Sequence, residues 1–210
     1  MPRHLVLIRH SQSAPEPGVP VHRWTLTDEG RRRCQALASR LAVFSPALVA
    51  SSPEPKALET ATLTMGHLGR DAHAVEIVDG LREHARETMP WLAQEDFDAK
   101  LKEFFARPDV LVIGEETASQ ALLRFTRAVT KIMRAAELKF GPTDERTGLP
   151  TQAPPGDIFV FTHATVMTLF VAACTGQDAF AFWRTLGMPS FVVLTLPELI
   201  VEETVADVGA

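Results

Sequence analysis

At 210 residues the chain is long enough for one large α/β domain, and a second independent domain would be cramped. Its 46% hydrophobic and 22% charged residues are those of a globular protein that builds its core without staples. A formal net charge of -5 with no basic run gives no reason to expect nucleic acid or an anionic membrane as partner, so charge that attracts an anionic substrate has to be concentrated in one pocket. The two cysteines, Cys34 and Cys174, each sit in an apolar helical pattern and read as small core residues, with no Cys-x-x-Cys metal spacing. Met1-Pro2-Arg3-His4 leads straight into apolar sequence without a signal-like segment, and no apolar run is long enough to span a bilayer. The cytoplasm is the expected compartment.

Leu5-Val6-Leu7-Ile8 is a short buried strand, and Arg9 and His10 stand at its C-terminal end. A proline-rich loop follows to Trp24. Thr27 then caps a helix expected over 28–44, with Asp28 and Glu29 in its positively polarised first turn. Ala47 to Ser52 is a second strand ending in two serines. Pro53 and Pro55 open a second helix with Lys56 in its first turn, where a cation opposes the helix dipole and therefore needs an explanation. A third strand is expected over 74–78, followed by a charged stretch from Gly80 to Glu87.

The segment 89–107 carries Trp91, Phe97, Leu101, Phe104 and Phe105 at helical spacing, which reads as core more readily than as a ligand box. It forms the centre of a small cap excursion over about 85–115. A long amphipathic helix spans 117–140, with Arg124, Arg127, Lys131 and Arg134 as a solvated face. The polar, proline-rich segment 141–156 is expected to be a mobile loop. Asp157 to Thr162 is the cleanest strand of the second half, with His163 at its end, a buried helix over 164–174, a strand over 191–196 and an edge strand over 199–205. Strands and helices alternate throughout, which predicts a single domain over 1–210: a three-layer α/β/α sandwich with a mostly parallel sheet.

His10 and His163 each stand just after a buried strand, and a parallel sheet aligns such ends on one rim. Glu83 could serve as a third ligand, which makes a hydrolytic metal site conceivable. Arg9 and Lys56 would set positive charge beside that ion. Two histidines with an arginine and a lysine match a phosphate better.

Leu7-Ile8-Arg9-His10-Ser11-Gln12-Ser13 resembles the Arg-His-Gly signature that opens the histidine phosphatase superfamily, which includes cofactor-dependent phosphoglycerate mutases and many small phosphatases. Leu26-Thr27-Asp28-Glu29-Gly30 resembles its Leu-Thr-x-x-Gly helix start. Ser51 to Ala61 is similar to its Ser-Ser-x-x-x-Arg-Ala-x-x-Thr-Ala segment. Leu81-Arg82-Glu83 falls where the family has its acidic residue, and Phe161-Thr162-His163-Ala164 where it has the second His-Gly. Five pieces in the family's order cover nearly the whole chain.

The resemblance implies that His10 is the nucleophile and forms a phosphohistidine. It implies that Arg9, Lys56 and His163 cradle the phosphoryl oxygens, and that Glu83 is the general acid, with no metal and no cofactor. The chain departs from the pattern at Lys56, which turns a bidentate fork into a point charge, and at Ser11 and Ala164, which replace glycines. The expected activity is hydrolysis of a phosphomonoester, carried by a small metabolite or a phosphoprotein. The alternatives are a phosphoglycerate-mutase-type transfer, which normally needs a fuller cap than 89–107, and a phosphate-binding module without turnover. His84 is expected to be a solvated loop residue, and His4, His22, His67 and His73 match no motif position.

Overall fold

A computed structural model describes residues 3–16, 18–71, 74–90, 92–140 and 156–209. The loop expected over 141–156 thus lies, except for Gly156, outside the described residues, as do His73 and Trp91. Strands β1 (Arg3–Arg9), β2 (Pro46–Ser51), β3 (Val75–Ile77), β4 (Asp157–Thr162), β5 (Ser190–Leu196) and β6 (Val201–Val205) form one sheet in the order β3-β2-β4-β1-β5-β6. The first four of that order run parallel, while β5 is antiparallel to β1 and β6 antiparallel to β5. The expected three-layer α/β fold is present, with a mixed sheet whose parallel half carries the candidate site.

Helices α1 (Asp28–Leu41), α2 (Pro55–His67), α3 (Gln94–Ala106), α4 (Ala118–Phe140), α5 (Ala164–Thr175) and α6 (Ala179–Thr185) complete the order of elements. Alternation along β1 sets the two faces. Leu5 and Leu7 pack with Leu101 and Phe104 of α3, Phe125 of α4 and Met167 of α5. Val6 and Ile8 pack with Leu37 and Leu41 of α1 and Ala61 and Met65 of α2. Each buried face removes a contiguous apolar surface from water, which is the main stabilising term of such a sandwich.

Thr27 caps α1 as expected, its hydroxyl oxygen accepting from the Gly30 N–H at 2.8 Å. The helix ends at Leu41 rather than at Phe44, which instead packs beside the β1 face. Of the cap aromatics, Phe104 is fully buried, while Phe97 is only partly so. Cys34 is buried but Cys174 is exposed at the end of α5, so only the first is a core residue; both are free thiols. No helix among the described residues is long and apolar enough to cross a membrane.

Candidate active site

Register brings the two histidines together. Arg9 pairs with Thr162 across the parallel β1/β4 ladder, and the His10 N–H donates to the Thr162 carbonyl at 3.0 Å. The next residue on each strand is therefore a histidine at the same rim. Their ring centroids are 5.2 Å apart. Neighbouring β2 ends at the same level, with the Ser52 N–H donating to the Phe161 carbonyl.

His10 is nearly enclosed, and its Nδ1 lies 2.7 Å from the Ser11 carbonyl. A carbonyl can only accept, so Nδ1 carries the proton and Nε2 keeps its lone pair. Burial first, then His163, Lys56 and Arg9, hold the His10 pKa well below 6.5, so the ring is neutral. His163 is pushed the same way by burial and by Lys56. Its Nε2 lies 2.8 Å from Ser52 Oγ, while its Nδ1 is buried without a hydrogen-bond partner among the described residues. Ser11 is fixed by its N–H to Thr60 Oγ1 and its hydroxyl to the Gly30 carbonyl.

Arg9 reaches across the rim and donates through Nη1 to the Leu186 carbonyl. Its Nε is buried without a hydrogen-bond partner among the described residues, and burial lowers its pKa to about 10. Glu83 arrives from the segment after β3. One carboxylate oxygen accepts from the His84 and Val166 N–H groups at 2.9 and 3.3 Å, the other from Thr165 N–H at 3.2 Å, so it caps the N-terminus of α5. Burial alone would raise its pKa. Arg86, His163 and the His84 N–H outweigh that and leave the carboxyl below its ordinary range.

Lys56 bears electrostatically on His10, His163 and Glu83, and its odd place in a helix first turn has a local cause. Its Nζ donates to Glu54 Oε2 at 2.5 Å and to the Val21 carbonyl at 2.8 Å, with both side chains almost fully buried. Burial lowers its pKa against the pull of Glu54. Glu54 is a residue that the sequence pattern did not single out. Its Oε1 also accepts from the Glu83 N–H at 2.8 Å and lies 3.4 Å from His163 Nε2.

Two arginines were missed as well. Arg86 Nη2 stands 3.8 Å from Glu83 Oε2, its guanidinium carbon lies 5.2 Å over the Phe97 ring, and its buried Nη1 has no hydrogen-bond partner among the described residues. Arg124 belongs to no solvated face. It donates to the carbonyls of Gly80, Arg82 and Glu83 at 2.9 to 3.1 Å and pairs with Glu116, pinning the segment that delivers Glu83. His84 is likewise buried, not solvated: its Nε2 lies 3.0 Å from the Glu116 carbonyl and its ring packs 4.4 Å from Phe104. The buried Phe104 ring and the Glu116 segment enclose it, a tertiary surrounding that no local pattern announces.

A cavity of about 220 Å³ opens onto this centre, lined by Glu54, Glu83 and Arg86 among others. A second of about 870 Å³ shares Val21, Arg86 and Glu87 with it and continues to Trp24, Met89 and Phe97. Among the described residues no group of three or more histidines, cysteines and carboxylates is arranged to hold a metal ion.

The fold is shared with solved structures at low sequence identity. The mycobacterial glucosyl-3-phosphoglycerate phosphatase is 22% identical, with 93% of this chain and 91% of that chain covered and a TM-score of 0.67. A second mycobacterial hydrolase is 20% identical over 100% and 94%, with a TM-score of 0.73. A phosphoserine phosphatase variant from Entamoeba histolytica, in complex with phosphoserine, is 14% identical over 97% of each chain, with a TM-score of 0.66. No curated protein sequence matches the chain significantly. The sequence model of the histidine phosphatase superfamily, branch 1, matches residues 5–140, about two thirds of the chain and the part that carries Arg9, His10, Lys56 and Glu83. The chain belongs to branch 1 of the histidine phosphatase superfamily.

Proposed function

We propose that this protein hydrolyses phosphomonoesters through a phosphohistidine on His10. The observation that carries the reading is the His10 ring: neutral, held at Nδ1 by a backbone carbonyl, and set 5.2 Å from a second buried imidazole beside cationic groups. Nε2 attacks phosphorus in line with the ester oxygen, and the P–O bond breaks as the P–N bond forms. Arg9, Lys56 and His163 stabilise the equatorial oxygens. Glu83 protonates the leaving oxygen and then takes a proton from the water that attacks the phosphohistidine, which restores His10 and releases phosphate. The cations around the histidines disfavour a divalent ion, and the reaction needs none.

The larger cavity supports an apolar leaving group. Its walls include Val19, Trp24, Met89, Leu92 and Phe97, with Glu16, Arg86, Glu87 and Gln94 as the polar side chains among them. The apolar share of this lining favours a phosphate ester of an aryl or alkyl alcohol as substrate. The names of the structural neighbours, phosphatases of glucosyl-3-phosphoglycerate and of phosphoserine, support phosphatase chemistry without fixing the alcohol.

Hydrolysis of 4-nitrophenyl phosphate in excess chelator tests the reaction. Activity is expected to persist with chelator, to vanish in His10→Ala, and to give an acid-labile, base-stable phosphoprotein on rapid quenching. Activity lost on chelation, or undiminished in His10→Ala, overturns it.

A further inference from the structure

We propose that Glu54 is a resident anion of the phosphoryl cup, holding donors that the substrate must take over, so that it weakens substrate binding. This rests on the phosphatase reading above. The carboxylate contacts two of the three groups assigned to the phosphoryl oxygens: Lys56 Nζ at 2.5 Å through one oxygen and His163 Nε2 at 3.4 Å through the other. The oxygen facing His163 also accepts the Glu83 N–H at 2.8 Å. An ammonium, an imidazole edge and a backbone N–H converging on two oxygens form the donor set that a phosphoryl group would use.

Charge points the same way. Arg9, Lys56 and Arg86 bring three cations to the cup against two carboxylates, Glu54 and Glu83. Glu83 is spoken for by the Thr165 and Val166 N–H groups at the start of α5 and by the His84 N–H, whereas the acceptors of Glu54 face groups of the cup itself. A phosphoryl dianion entering beside an ionised Glu54 meets a like charge within the same buried space, where screening is weak. The carboxylate has somewhere to go, because Glu54 lines the 220 Å³ cavity. Displacement frees Lys56 for the phosphate while the Glu54 side chain swings toward that opening.

The competing role for Glu54 is to orient Lys56, and the two roles predict opposite signs. Removing the charge by Glu54→Gln keeps an acceptor for the Glu83 N–H but releases Lys56. If Glu54 is a resident anion, inorganic phosphate binds Glu54→Gln tighter than wild type by about 10- to 100-fold, the worth of one charge-assisted hydrogen bond. KM for 4-nitrophenyl phosphate falls with it. Phosphate affinity is read by calorimetry on the full chain.

Equal or weaker binding in Glu54→Gln overturns the inference and leaves the phosphatase reading standing, provided that wild type hydrolyses through His10. A wild type that neither binds phosphate nor hydrolyses the ester overturns both. Loss of one partner from a buried pair destabilises, so unfolding midpoints with and without phosphate supply the second measurement. The inference expects phosphate to raise the midpoint of Glu54→Gln by more than that of wild type, and a smaller rise overturns it.

Discussion

His10 and Glu83 are both displaced toward acid, and this fixes the pH behaviour of the proposed reaction. The nucleophile has to be neutral, and with its pKa held well below 6.5 by burial, His163, Lys56 and Arg9 it stays neutral into acid. The acid has to be protonated, and Arg86 with the His84 N–H keeps Glu83 below its ordinary range despite burial, so its protonated fraction falls as pH rises. The product of the two fractions peaks on the acid side. We expect kcat/KM for an alkyl phosphate to reach its maximum below pH 6.5 and then to fall by up to about tenfold per pH unit. Glu83→Gln removes that alkaline fall and lowers kcat by about 100- to 10,000-fold. An optimum at neutral or higher pH would assign the proton to another group. His10, His163, Arg9 and Glu83 were legible in the sequence because each follows a strand or fills a motif position. Glu54 was not, since a glutamate between two prolines reads as exposed, and only the convergence of α2, the His163 junction and the Glu83 segment buries it.

Elements were legible where periodicity is long. The pattern of α1, α2 and α4 alternates with β1, β2 and β4 in a way that only an α/β sandwich satisfies. Strand direction was not legible, because the alternation of β5 reads the same whichever way the chain runs, and pairing with β1 is a tertiary fact. The seven-residue α6 is too short to show a period, and its one local signal is Asp178, whose carboxylate accepts from the Ala181 N–H at 2.6 Å. The Leu-Thr-x-x-Gly start of α1 has a steric reason. A Cβ on Gly30 would lie 2.1 Å from the Gln12 carbonyl oxygen, two residues past His10. Alanine gains about 1 kcal/mol of helix propensity there, but the clash is with backbone and cannot relax by a rotamer change. We expect Gly30→Ala to destabilise by about 2 kcal/mol net in urea unfolding and to lower phosphatase activity by shifting the Gln12 backbone. A neutral or stabilising Gly30→Ala would show that the loop after His10 yields freely.

For the whole molecule, the loop between β1 and α1 and the segment before α3 together build a wall that neither builds alone. Trp24 comes from the first, Met89 from the second and Phe97 from the start of α3 itself, and Arg86 with Glu87 joins their cavity to the one at Glu83. Sequence could not give this surface, because side chains on irregular backbone have no period from which to read a face. The aromatic spacing of 89–107 was read as core, and α3 divides the outcome: Phe104 and Leu101 are buried, while Phe97 turns to the cavity under the Arg86 guanidinium. Phe97 then has two effects that can be separated. Its ring offers apolar surface to a leaving group and a cation–π seat to Arg86, the latter worth about 0.5 to 2 kcal/mol. In Phe97→Leu the apolar wall persists and the seat is lost; in Phe97→Ala both go. If the cavity receives the alcohol, kcat/KM for an aryl phosphate falls by about 10-fold or more from Leu to Ala, while that for a short polar phosphate changes little between the two variants. An equal fall for both substrates would mean that Phe97 acts only through Arg86, and the apolar cavity would then play no part in choosing the substrate.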